Sequence, residues 1–368
     1  MSDYFLPHLQ QLQGYTPGEQ PSEGGYIKLN TNENPYPPSP RVLEAIQQTT
    51  QDQIGRYPEP LADRFRNQAA SILNLSPEWI MTGNGCDDLL TIITRSFADA
   101  GKTIRFPYPG YILYETLAKI QNAKQEAIPF LKDWSLNERF LKYSSELGLV
   151  FFANPNSPSG ILYPKTVISQ IIKQLSVPVV IDEAYVDFAN TNCMDLVHKH
   201  PNLIVTRTLS KSYSLAGLRF GYAVAQPEVI QGMQKVKDSY NCDILSIVGA
   251  SAAFEDQQWM VDNVKKICQT REHLITEVRK LGFQIPFSQA NFIWCTLDGK
   301  PTKQIYEQLR SNKILVRYLQ YKDWGDGLRI SVGTDEEIEQ LLDSLRSISK
   351  LIDFFEEFIA RTSQDESQ

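Results

Sequence analysis

The sequence predicts an α/β fold: a large domain on a largely parallel sheet, and a smaller α+β domain. Short apolar runs alternate with helical stretches from about 79 to 225, the pattern of strands joined through helices that cover both sheet faces. The runs are apolar at nearly every position, as strands buried on both sides are. After Asp243 the texture changes to helices, short strands and a final helix. A chain of 368 residues has length for both domains.

The first forty residues, with TPGEQPSEGG and NTNENPYPPSP, are rich in Pro, Gly, Asn and Gln. They read as an extended arm ending in turns. A helical pattern starts at Arg41 with Val42, Leu43 and Ile46. Strands are expected at WIMT (79–82), TIRF (103–106), LGLVFFA (147–153), VPVVID (177–182), LIVTRTL (203–209) and FGYAVA (220–225). Helices are expected between them over 87–97, 111–121 and 165–175. Then come helical segments over 246–280, a strand-like NFIWCTL (291–297), a helix over 302–311, strands ILVRYL and GLRISVG, and a helix over 335–360. The tail TSQDESQ is polar and reads as disordered. The expected division is an arm with part of the small domain at 1–40, a large domain at 41–270, a small domain at 271–361 and a tail at 362–368.

Composition removes several function classes. Hydrophobic residues at 42% and charged residues at 21% are ordinary for a globular protein. A net charge of -7 argues against general nucleic-acid binding. Cys86, Cys193, Cys242, Cys268 and Cys295 are scattered without a CxxC pair, which supports neither a zinc knuckle nor a disulfide framework. His198 and His200 lack a nearby third ligand, so no metal is expected. The N-terminus lacks the basic start and apolar run of a secretory signal, and no stretch approaches the ~20 apolar residues of a membrane span. A cytoplasmic protein with no membrane partner is expected.

In a parallel sheet the ligand site lies beyond the carboxyl ends of the strands. WIMT is followed by Gly83-Asn84-Gly85 and a helix, LVFFA by Asn154-Pro155-Asn156-Ser157-Pro158-Ser159-Gly160, VPVVI by Asp182-Glu183-Ala184-Tyr185, and LIVTRTL by Ser210-Lys211. Gly83-Asn84-Gly85 suits a phosphate cradle at a helix N-terminus, although a structural turn explains it about as well. Asp87 and Asp88 would repel such an anion, so Arg219, Thr208 and Ser210 are candidates to offset them. Asp182 ends a buried strand and needs a cationic partner, either a protonated pyridine nitrogen or a protein cation. Tyr185 and Asn156 are candidate donors to a phenolate oxygen. A desolvated Lys211 would be a nucleophilic amine.

The motifs ANPNSPSG (153–160), DEAYVDF (182–188) and TLSKSYSLAGLRFGY (208–222) resemble those of fold-type I aminotransferases, which use pyridoxal 5'-phosphate. LNTNENPYPPSP, RYPEP, TGNGCDDLL, PGYILYE and LRISVGT narrow the resemblance to the histidinol-phosphate aminotransferase family, from about Tyr15 to Ser347. The resemblance implies a mostly parallel seven-stranded sheet flanked by helices, and a homodimer. It implies that Lys211 holds the cofactor as a Schiff base and acts as the proton carrier, with Asp182 against the pyridine nitrogen. Asn156 and Tyr185 are implied at the cofactor's 3-oxygen and Tyr111 on its ring, with Tyr108 the alternative. Asn84, Gly85, Cys86, Thr208, Ser210 and Arg219 are implied at the phosphate, together with Tyr57 from the neighbouring subunit. Tyr15, Asn34, Arg317 and Arg329 match substrate-contacting positions. The implied reaction is amino transfer between histidinol phosphate and 2-oxoglutarate. Aromatic amino-acid transamination and threonine-phosphate decarboxylation are the alternatives on the same scaffold.

Overall fold

The computed structural model describes residues 4–10, 12, 14, 18–298 and 301–365, the last fifteen of these as backbone only. Its strands are β1 (Ile27–Leu29), β2 (Ile80–Asn84), β3 (Thr103–Tyr108), β4 (Lys124–Pro129), β5 (Leu147–Ala153), β6 (Val179–Asp182), β7 (Leu203–Thr208), β8 (Phe220–Val224), β9 (Phe292–Cys295), β10 (Ile314–Tyr321) and β11 (Gly325–Ser331). The larger sheet has the order β2-β8-β7-β6-β5-β3-β4. β8 runs antiparallel to β2 and β7, and the remaining pairs are parallel.

Both faces of this sheet are buried, which explains the continuous apolar runs. On β5, Val150 and Phe152 enter one core with Phe65, Ile168, Ile171 and Ile247. Leu149, Phe151 and Ala153 enter the opposite core with Leu89, Leu90, Tyr114 and Ile230. The helices Cys86–Phe97, Ile112–Ile120 and Lys165–Gln174 stand where the sequence places them. Besides β1, read only as part of an extended arm, β4 is a strand that sequence reading lacks. It lies at the sheet edge and its first four residues are exposed or half-buried, so a polar stretch with no apolar alternation suffices there.

The smaller sheet has the order β1-β10-β11-β9. β1 comes from the N-terminal arm and pairs parallel with β10, Ile27 against Ile314. The expected helical segment over 246–280 is two helices, Ile244–Glu255 and Gln257–Lys280, with Asp256 between them accepting from Trp259 N at 3.4 Å. Helix Gln257–Lys280 gives Met260 to the large core and Leu274, Ile275 and Val278 to the small one, so the expected border at 270/271 falls inside it. The last helix is Asp335–Asp365. It extends past 361 into the tail read as disordered, and residues 366–368 lie outside the described residues. Among the described residues no helix is long and apolar enough to cross a membrane.

Candidate active site

β2, β5, β6 and β7 point the same way, so their carboxyl ends meet at one edge. Cys86, Asp182, Lys211, Arg219, Arg317 and Arg329 line one cavity of about 200 Å³ there. Its walls come from both sheets and from the arm segment 30–32 between them.

Asp182 is the last residue of β6 and 4% exposed. Burial pushes its carboxyl up to about 6. Tyr114 donates to it at 2.8 Å, Ala184 N at 3.2 Å and Thr206 at 3.4 Å, which oppose that rise. The Cys86 thiol lies 3.8 Å from the same carboxylate. Lys211 follows β7, one strand over. Burial, then the charge of Arg329, bring its amine down to about 8. Its Nζ donates to the Thr31 carbonyl at 3.1 Å and sits 6.0 Å from the Tyr185 ring centre.

The turn after β2 leaves the start of the next helix open toward the cavity. Gly85 has a φ of 79° and no side chain caps the helix that follows, so N–H groups of the first turn face the cavity mouth. A Cβ on Gly85 would come within 2.5 Å of Arg219 Nη2. One on Gly221 would come within 2.9 Å of Cys86 N. Arg219 donates to Ser210 Oγ at 3.2 Å, and Ser210 N donates to Thr208 Oγ1 at 3.1 Å. Asp87 draws on Arg219 at 3.5 Å and on the Tyr111 hydroxyl at 3.1 Å, whereas Asp88 is turned away to Asn84 N and Asn241.

On the opposite wall, Arg317 and Arg329 are direct cross-strand partners in the β10–β11 ladder. Like charges so placed repel, and an anion between or beside them removes that cost. Arg329 donates to Ser157 Oγ at 3.2 Å and to the Asn30 carbonyl at 3.3 Å. A second cavity, about 430 Å³, shares Tyr111, Ser157, Arg317 and Arg329 with the first.

Residues 25–345 match the family model for aminotransferase class I and II. The chain belongs to this aminotransferase family. It is 50% identical to a histidinol-phosphate aminotransferase of Rhodopirellula baltica, over 91% of this chain and 93% of that one. A histidinol-phosphate aminotransferase of Geotalea uraniireducens is 42% identical, over 93% and 98% of the two chains. A solved histidinol-phosphate aminotransferase of Sinorhizobium meliloti, in complex with pyridoxal-5'-phosphate, superposes with a TM-score of 0.87 at 26% identity, covering 96% of this chain and 99% of that one.

In this aminotransferase most of the residues singled out from sequence converge. Cys86, Tyr111, Asp182, Tyr185, Thr208, Ser210, Lys211, Arg219, Arg317 and Arg329 line the cavity. Gly85 shapes its floor, and Asn156 is fully buried behind it with Oδ1 unpartnered among the described residues. Tyr111 is the cavity tyrosine; Tyr108 instead packs edge-on against Tyr321 at 5.7 Å. Asn34, Asn84 and Tyr57 do not line the cavity, Asn84 being exposed at the end of β2. Asn34 donates to the Lys211 and Ser212 carbonyls at 3.0 and 3.1 Å and accepts from Tyr36 N at 3.0 Å, so both ends of its amide hold backbone rather than face the cavity. Tyr57 is 81% exposed and stacked on Tyr240 at 4.5 Å, outside the cavity. Tyr15 lies outside the described residues.

Sequence reading missed Tyr114, Asn32 and Thr31. Asn32 donates to the Tyr185 hydroxyl at 3.0 Å. Tyr114 stacks on Phe151 with its hydroxyl on Asp182; its place three residues after Tyr111, in the first turn of helix Ile112–Ile120, was the available signal. Glu183 binds Arg207 at 2.8 Å and serves local structure.

Proposed function

We propose that this aminotransferase interconverts L-histidinol phosphate and 2-oxoglutarate with imidazole-acetol phosphate and L-glutamate, using pyridoxal 5'-phosphate. The observation that carries the reading is the convergence of a desolvated amine, a desolvated acid and an anion cradle on one cavity faced by two arginines. The residues fit the cofactor. Its phosphate suits the uncapped helix with Arg219, Ser210 and Thr208. Its ring nitrogen suits Asp182, whose raised carboxyl gains a cation to face. The unpartnered end of the Asn156 amide, together with Tyr185, suits the 3-oxygen, and Tyr111 suits the ring face. When bound, the cofactor supplies an aldehyde that takes the substrate amine and a cationic ring that withdraws electrons from the substrate's Cα.

The chain's own residues supply the rest. Lys211 would hold the cofactor through its Nζ, and the same amine is placed to carry the substrate Cα proton. An amine near pH 8 is close to ambient pH, where proton transfer in both directions is efficient. Asp182 keeps the proton on the nitrogen that faces it. Asn34, gripping the carbonyls of Lys211 and Ser212, fixes the backbone from which that amine swings. Arg329 and Arg317 grip the phosphate of one substrate and, in its place, the α-carboxylate of the other through bidentate hydrogen bonds. The same reading assigns residues 41–270 to cofactor binding, with 271–361 and the arm as the smaller substrate-side domain. It assigns Tyr57 to the partner's phosphate site in a homodimer, supported by its exposure. It places the protein in the cytoplasm, supported by five cysteines that are free in the structure.

A substrate screen tests the function. Histidinol phosphate with 2-oxoglutarate should yield glutamate fastest; faster turnover of aromatic amino acids, or CO2 from threonine phosphate, would overturn the assignment. Arg329→Ala should raise KM for both substrates about 10-fold or more with the cofactor still bound, measured by steady-state kinetics. Capture of the cofactor by the apoenzyme requires the neutral Lys211 amine. Its rate should therefore rise with pH and level off above about 8, as followed by stopped-flow absorbance; a rate flat from pH 6 to 9 would count against the lowered amine.

A further inference from the structure

The hairpin that carries both arginines reaches the large sheet's side of the molecule through its tip. β10 ends at Tyr321, β11 starts at Gly325, and Trp324 lies between them. Trp324 packs against the large core and meets Trp134 with ring centres 4.6 Å apart. Lys132 places its ammonium 4.9 Å from the Trp324 ring centre and donates to the Asp323 carbonyl at 2.5 Å. Nearer the arginines, Tyr321 stands edge-on to Tyr108 of β3.

The receiving turn is preformed. Leu131 N bonds Ser135 O at 2.9 Å, Trp134 N bonds Leu131 O at 2.8 Å, and the Tyr163 hydroxyl donates to Trp134 O at 2.7 Å. Trp134 has a φ of 66°, a left-handed conformation uncommon for a bulky residue and retained where surroundings hold it. Beside the two tryptophans lies open space of about 920 Å³, bounded also by Trp294 and Phe287. The tip is therefore docked through a few ring and ammonium contacts beside a cleft rather than buried in a continuous core.

We infer that Lys132, Trp134 and Trp324 form a latch of positioning residues, which sets the distance of Arg317 and Arg329 from the cofactor edge. At ~3.3 Å per residue the arginine row lies roughly 13 Å from the strand end at Tyr321, so a tilt at the tip is transmitted to the guanidinium groups. Lys211, Asp182 and Arg219 stand on the large sheet and do not ride on this hairpin. The latch thus governs substrate affinity while leaving cofactor binding alone.

This inference rests on the proposed anion grip of Arg317 and Arg329, and one kinetic set separates the two. In holoenzyme, Trp324→Ala should raise KM for histidinol phosphate and for 2-oxoglutarate about 10-fold, with kcat and cofactor affinity little changed. Trp324→Phe should recover most of that loss. Lys132→Met alters an exposed side chain and guards against a folding defect; it should move both KM values the same way by a smaller factor. Unchanged KM in Trp324→Ala and Lys132→Met, or a fall in kcat and cofactor affinity in step with KM in both, overturns the latch. An unchanged KM in Arg329→Ala instead sinks the arginine grip; a raised KM there beside wild-type values at Trp324→Ala sinks the latch alone.

Discussion

Lys211→Ala is expected to abolish transamination, with a loss of at least about 10⁴-fold in kcat, the upper range for a positioned acid–base group. The proposed function gives this one amine two roles, covalent tethering of the cofactor and transfer of the Cα proton. The visible absorption of the lysine-bound cofactor should vanish with it. Noncovalent cofactor binding should persist, because the cradle at Gly85, Ser210 and Arg219 and the acid at 182 are untouched. Added small primary amines should restore part of the proton transfer. The apoprotein should not lose stability near pH 7, since the missing ammonium was desolvated and faced the charge of Arg329. Turnover within about 10-fold of wild type would remove Lys211 from this role.

Asp182→Asn should lower kcat by on the order of 10²–10³-fold, the scale for removing one preorganised electrostatic partner of the reacting system. It should also have an opposite effect on the apoprotein. The carboxyl is raised from 3.8 to about 6 by burial. Below about pH 4 it is neutral in folded and unfolded chains alike. Between 4 and 6 the unfolded chain ionises first, so folded stability falls as pH rises. Above 6 the apo fold bears the whole penalty, about 3 kcal/mol. The amide of the variant does not titrate and escapes it. Apo Asp182→Asn should therefore gain on wild type as pH rises from 4 to 6 and keep a constant lead above that, by urea denaturation. With cofactor bound the order should reverse, because the wild-type acid then faces a cation. A lead that does not change with pH would show that Asp182 is not the buried, raised carboxyl described here.

How much of this was legible in the sequence follows from the range of each interaction. Strand burial is a local property: alternate residues of β5 enter different cores, so an unbroken apolar run at 147–153 announces a two-sided sheet. Polar residues directly after such runs fall at the sheet's carboxyl edge by connectivity alone. Sequence by itself therefore determined the fold class, the edge on which the site lies, and Lys211 and Asp182 within it. It could not show β4, because an edge strand needs no apolar pattern, nor the reversed direction of β8.

What tertiary structure decided are contacts between residues far apart in the chain. Tyr114 meets Asp182 across 68 positions, Asn34 meets Lys211 across 177 and Lys132 meets Asp323 across 191. Asn34 clamps the backbone of the Lys211 turn because the arm enters beside it, and Arg317 faces Arg329 because of the β10–β11 register. Register and the approach of separate elements depend on how whole faces pack, and local patterning carries no record of which distant partner a polar side chain will meet.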